Sequence, residues 1–230
     1  MPTLRALIAT LALVATATLA PHAVAETEEP RILVIGDSLL AKNRLAERNV
    51  AARLSALLDE PVADHSVAGA WMIYNLPITG AMGLSIPKQW RDGDWDWVIM
   101  NGGGNDLWLG CGCNNCDYKL NRLIAENGRR GAIPSLVQKI RHSGARVLIV
   151  GYLRNPGFSS PIKSCKDVGD TLEARIARLA EIDPNVYFHP LTDLVPHGDL
   201  SFHAIDRIHP SLKGSDAIAR RLAEEIQSAR

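Results

Sequence analysis

The chain has 230 residues, 47% of them hydrophobic and 22% charged, and its 25 Lys and Arg are balanced by 25 Asp and Glu. That balance excludes intrinsic disorder, which needs low hydrophobicity and high net charge, and it removes the basic excess on which phosphate-backbone binding depends. With 18 Gly and 13 Pro the chain is neither collagen-like nor low-complexity, and its length suits one domain whose core needs no metal or covalent staple.

Met1 to Arg5 carries one positive charge, Ala6 to Ala20 is an uncharged apolar run, and Ala23-Val24-Ala25 offers small residues to a peptidase. The pattern reads as a secretory signal peptide over residues 1–25, cleaved near Ala25. The run is shorter than the ~20 residues that span a bilayer, although an uncleaved anchor is the competing reading. Export would place the remaining residues, 26–230, as a single domain in the periplasm or outside the cell. No later stretch is long and apolar enough to form a stable membrane span.

The first strand is expected at Arg31 to Ile35, a continuous apolar run ending at Gly36, and Val62 to Val67 is a weaker second. Val98 to Met100, Val147 to Val150 and Val186 to Phe188 behave like the first. Strands covered on both faces lose the polar alternation of a one-sided sheet, so these runs predict buried parallel strands. Between them, Val50, Leu54, Leu57 and Leu58 fall at helical spacing, as do Ile133, Leu136, Val137 and Ile140 before Ser143-Gly144. Leu172, Ile176 and Leu179 repeat the pattern before Asp183-Pro184, and Ile218, Leu222 and Ile226 define a last helix. The alternation predicts a doubly wound α/β fold, a five-stranded, mainly parallel sheet with helices on both faces and its sites at the carboxyl ends of the strands.

Four short motifs sit at those ends. Gly36-Asp37-Ser38-Leu39 follows the first strand, Val67-Ala68-Gly69 the second, and Gly103-Gly104-Asn105-Asp106 the third, while Asp206-Arg207-Ile208-His209 stands near the end of the chain. Singly each could be a cap or a surface turn. Together, in this order, they resemble the GDSL/SGNH hydrolase family over residues 31 to 229, with Leu40 and Ala41 departing where a small hydroxyl residue is frequent. The resemblance implies a flavodoxin-like sheet and hydrolysis of esters, with no cofactor and no metal.

An alcohol is a poor nucleophile at neutral pH, so Ser38 needs a base, and imidazole, which titrates near ~6.5 when free, suits that task. His209 is the candidate base, and Asp206, three residues earlier, can accept its other ring N–H. His203 is the nearest rival, but Leu200 stands where its Asp would be. The resemblance assigns the oxyanion hole to the backbone N–H of Ser38, the backbone N–H of Gly69 and the amide of Asn105. Asp37 is expected to fix its own turn, and Asp106 to be structural.

Cys111, Cys113, Cys116 and Cys165 are disulfide candidates in an exported chain, with Cys165 joined to one member of the cluster; zinc is the alternative. All five Trp fall between positions 71 and 108. Trp90, Trp95 and Trp97 approach the third strand and should pack in the fold, whereas Trp71 and Trp108, close behind Gly69 and Asn105, could flank a substrate. The reading is a secreted, monomeric serine esterase acting on acyl or acetyl esters of small molecules, glycans or lipids, with no nucleic-acid partner. A non-catalytic envelope or glycan-binding protein that keeps the hydrolase fold is the alternative.

Overall fold

The computed structural model describes residues 29–230; the signal-peptide expectation lies outside them. Five strands, β1 (Ile32–Ile35), β2 (Val62–Asp64), β3 (Trp97–Met100), β4 (Arg146–Val150) and β5 (Val186–His189), form one sheet in the order β2-β1-β3-β4-β5. All four pairings are parallel. The helices are α1 (Ser38–Ala41), α2 (Val50–Leu58), α3 (Pro77–Thr79), α4 (Gly104–Cys111), α5 (Asp117–Leu123), α6 (Ala132–His142), α7 (Lys166–Ile182) and α8 (Leu212–Ser228).

The uniform apolarity of the strand sequences follows from burial on both faces. In β1, Leu33 and Ile35 join a core with Leu136, Ile140, Leu172 and Ile176 of α6 and α7. Ile32 and Val34 point to the other core, against Leu54 of α2 and Ile218, Leu222 and Ile226 of α8. β2 is the exception, an edge strand whose three residues are only half-buried and whose sequence signal is correspondingly weak. It stops at Asp64, earlier than the expected Val67, but His65 and Val67 still donate to Val34 O and Gly36 O at 2.8 and 3.0 Å. The chain that leads to Gly69 is thereby laced to the turn that follows β1.

The strand order reverses at β1, with β2 on one side and β3 on the other. Such a reversal opens a crevice beyond the carboxyl ends of the two central strands, because their connections leave on opposite faces. Ser38 follows β1 and Asn105 follows β3, so the crevice lies between them. Behind α4 two disulfides, Cys111–Cys116 and Cys113–Cys165, cross-link the cluster to itself and to the start of α7. No described helix is long and apolar enough to cross a membrane.

Helices α2 and α8 cover one whole face, so a cavity there should be costly. Leu222 is fully buried, and Leu222→Ala is expected to lower unfolding free energy by about 2–5 kcal/mol. Urea denaturation at neutral pH checks this; a loss under about 1 kcal/mol would show that the α8 contact is not part of the core.

Candidate active site

The turn that carries Ser38, the candidate nucleophile, begins where β1 ends. Asp37 is the N-cap of α1, its Oδ1 accepting the Leu39 N–H at 2.9 Å, and Ser38 is the first helical residue. The first N–H groups of a helix have no acceptor within it. The Ser38 N–H accordingly has no acceptor among the described residues, and neither does that of Gly69. Gly69 has φ 79°, a left-handed conformation that glycine adopts without steric cost.

His209 Nε2 lies 2.8 Å from Ser38 Oγ, and His209 Nδ1 lies 2.8 Å from Asp206 Oδ2. The Asp206 carboxylate is further fixed by accepting the backbone N–H of Ile208 and His209 at 3.0 and 2.9 Å. Partial burial pushes the Asp206 carboxyl up, but the hydrogen bonds from His209 and Ile208 outweigh it and hold its pKa down at about 2. His203 is different. It is buried, its Nδ1 has no partner, and burial lowers its pKa. No hydrogen bond joins its ring to Ser38 among the described residues.

Asn105 occupies the first turn of α4, and one proton of its amide goes to Ala70 O at 2.8 Å. The second amide proton has no acceptor among the described residues, and Asn105 lines the cavity beside Ser38 and His209. The next residue, Asp106, is fully buried and accepts the backbone N–H of Met72 and Ile73, both at 2.9 Å. Burial raises its pKa although those two donors oppose it. Asn105 and Asp106 therefore hold the Gly69 loop from two sides.

The cavity measures about 600 Å³. Trp108, Leu172, Phe158 and Ile162 give it an apolar wall, and Cys165 borders it. Trp71 is not among its lining residues; its backbone instead bridges to Ser85. Trp90 and Trp97 are buried in the fold. Helix α4 itself was not anticipated from sequence, nor were three polar side chains that brace the site. Buried Gln89 accepts the Gly36 N–H at 2.6 Å and donates to Gly36 O at 2.9 Å. Asn101 donates to Asp37 Oδ1 at 2.7 Å and accepts the Asp37 N–H at 3.0 Å. Tyr152 donates to Asp37 Oδ2 at 2.6 Å. The one available signal for Asn101 and Tyr152 was their place at the carboxyl ends of β3 and β4.

A hydroxyl, an imidazole and a carboxylate thus stand in hydrogen-bonded series at the carboxyl edge of a parallel sheet, an arrangement that can activate a hydroxyl for nucleophilic attack. The profile of the GDSL-like lipase/acylhydrolase family matches residues 34–217, and the chain belongs to that family of ester-hydrolysing enzymes. No curated relative matches the chain. Among solved structures the fold is shared with the aryl esterase of M. smegmatis, at 16% identity and TM-score 0.63, covering 87% of this chain and 99% of that one. A GDSL-like lipase from Bacteroides thetaiotaomicron is similar at 17% identity and TM-score 0.60, covering 87% and 89%. The psychrotrophic esterase of a Pseudoalteromonas species matches at 16% and 0.58, covering 86% and 96%. At such identities the likeness is one of fold.

Because the folded protein holds the Asp206 carboxyl at about 2 against its ordinary 3.8, the unfolded chain binds more protons between those values. Asp206 thus contributes stability in full above about pH 4, and that contribution is lost as pH falls toward about 2. The stability difference between wild type and Asp206→Asn, followed by chemical denaturation, should shrink over that window. A difference independent of pH from about 6 to 2 would show that the carboxylate is not held by these hydrogen bonds.

Proposed function

We propose that the protein is an exported serine esterase that hydrolyses carboxylic acyl or acetyl esters through an acyl-enzyme on Ser38. The observation that carries this reading is the unbroken series Ser38 Oγ to His209 Nε2 to His209 Nδ1 to Asp206 Oδ2, with both contacts at 2.8 Å. Neutral His209 takes the Ser38 proton on Nε2 as Oγ adds to the acyl carbon, and Asp206 holds the ring in the tautomer that leaves Nε2 free to accept. The carbonyl oxygen becomes an oxyanion, received by the Ser38 N–H, the Gly69 N–H and the second amide proton of Asn105. Collapse expels the alkoxide, which takes the proton back from Nε2 and leaves as alcohol. A water molecule then gives a proton to His209 and adds to the acyl-serine. The second tetrahedral intermediate releases the acid and restores Ser38 with the proton from His209.

The Ser38 N–H, the Gly69 N–H and the second Asn105 amide proton have no acceptor among the described residues, so none need give up a protein partner when charge develops. Each such donor is worth about 2.7–4 kcal/mol in the transition state. A filled and hydrogen-bonded catalytic series favours an active esterase over a glycan-binding protein that has lost turnover. The two disulfides are compatible with the oxidising compartment that a signal peptide over 1–25 would deliver the chain to.

Two experiments test this. With a short-chain nitrophenyl ester, Ser38→Ala should abolish turnover while thermal stability is retained, and Asn105→Ala should lower kcat by about 10²–10³ with little change in KM. Ser38→Ala activity within tenfold of wild type would remove Ser38 as nucleophile. Asn105→Ala should also cost some stability, because the Ala70 carbonyl loses its donor. Separately, Edman or mass analysis of protein from its native host should find Glu26 at the amino terminus and no titratable thiol before reduction. A retained Met1, or four free thiols, would contradict export.

A further inference from the structure

The three oxyanion donors stand on three separate segments, so their spacing depends on what ties the segments together. The Gly69 loop is bound to α4 by Asp106 and by Asn105 to Ala70 O. The same loop is bound to the nucleophile turn through the Val67 N–H to Gly36 O. The third pairing, nucleophile turn to α4, has two parts: Asn101, three residues before the helix, holds Asp37, and one hydroxyl reaches the helix itself. Tyr152, two residues past β4, donates from its phenol to Asp37 Oδ2 at 2.6 Å and accepts the backbone N–H of Gly104 at 2.8 Å.

We infer that Tyr152 is a positioning residue for ester hydrolysis, its hydroxyl setting the distance between the Ser38 N–H and the Asn105 amide across the oxyanion hole. The inference rests on the oxyanion reading above. Three observations support it. First, Gly104 is the first residue of α4, and the N-cap, Gly103, has no side chain with which to cap the helix. The Tyr152 hydroxyl takes that place, satisfying one of the N–H groups that a helix start leaves open. Asn105 is the very next residue, so the cap bond anchors the peptide unit immediately before the one that carries it.

Second, the sequence makes room for this bond. A Cβ at position 104 would lie 2.7 Å from Tyr152 Cζ and 2.9 Å from its hydroxyl oxygen. Gly104 is helical, so its glycine is explained by the approach of the ring and not by its backbone conformation. Third, the phenol keeps its proton. Burial first, then the neighbouring Asp37 charge, raises the Tyr152 pKa well above the ordinary 10.0, so the donor persists wherever the enzyme works. Tyr152 and Gly104 both line the cavity with Ser38 and Asn105, which places the tie in the wall of the reaction site.

A double-mutant cycle on the full exported protein separates positioning from packing. Tyr152→Phe, Asn105→Ala and the double variant are compared by kcat and KM on a nitrophenyl ester, with melting temperature recorded for each. Tyr152→Phe keeps the ring and loses the tie, and it should lower kcat by about tenfold with KM within about twofold. In the Asn105→Ala background the same change should lower kcat by less than about threefold, because the donor that Tyr152 places is already gone.

Wild-type kcat in Tyr152→Phe would overturn the inference, as would an equal fold-loss in both backgrounds. Were Tyr152→Phe not to fold, Gly104→Ala, which displaces the ring, is expected to show the same kcat-selective loss and the same dependence on Asn105; wild-type kcat there would overturn it. An Asn105→Ala variant with wild-type kcat would take down the oxyanion reading and the inference together. A large Asn105→Ala loss with additive Tyr152→Phe would take down the inference alone.

Discussion

The turn that carries Ser38 at the carboxyl edge of this sheet hangs on the side chain of Asp37. It is 2% exposed, and among the described residues no cation is paired with it. A buried carboxylate of this kind is tolerable only when hydrogen-bond donors replace its water. Here they come from three places: the Leu39 N–H in its own turn, the Asn101 amide at the end of β3, and the Tyr152 hydroxyl beyond β4. The requirement to satisfy one acidic group thus draws three strand ends to a common point. Ser38, the proposed nucleophile, is the next residue and is held by the same bonds.

The rest of the site is layered around that point by short, mutually dependent links. Buried Asp106 holds the Met72–Ile73 backbone, Asn105 holds Ala70, and Gln89 grips both polar groups of Gly36. Their cost of desolvation is met by backbone partners that would otherwise be orphaned, an economical use of buried polarity. Farther out, the Cys113–Cys165 bridge joins the segment after α4 to the N-cap of α7, and both helices wall the cavity. Covalent bracing therefore lies at the wall of the cavity, and the hydrogen-bonded bracing surrounds the turn that carries Ser38.

Much of this was legible in the sequence, for a physical reason. Runs such as Ile32 to Ile35 and Val147 to Val150 are apolar throughout because helices cover both faces of the sheet, and the helices that do so show clean spacing. The edge strand β2 gave a weak signal because half its surface meets solvent. The motifs carrying Ser38, Gly69, Asn105 and His209 stood out because each is a short run of consecutive residues and the four follow one another in a recognisable order, although the Ser38–His209 contact itself spans 171 positions. Asn101, Gln89 and Tyr152 could not, since their partners lie 64, 53 and 115 positions away and no short pattern encodes such a pairing. Helix α4 escaped because its eight residues begin in glycine and its apolar Leu107, Trp108 and Leu109 are consecutive, not set at helical spacing. Trp71 and Trp108 looked equivalent in sequence, and only the fold separates one that lines the cavity from one that does not.

The central claim is that Ser38 forms a covalent acyl intermediate, and trapping tests it most directly. Incubation with a slowly deacylating ester or a phosphonate ester, acid quench, and mass analysis of the intact chain and its peptides would show where the group resides. The account predicts one adduct per chain, on the peptide containing Ser38, appearing in step with loss of activity and absent from His209→Ala. Full inhibition with the adduct on another residue, or turnover with no adduct at any quench time shorter than one catalytic cycle, would contradict it.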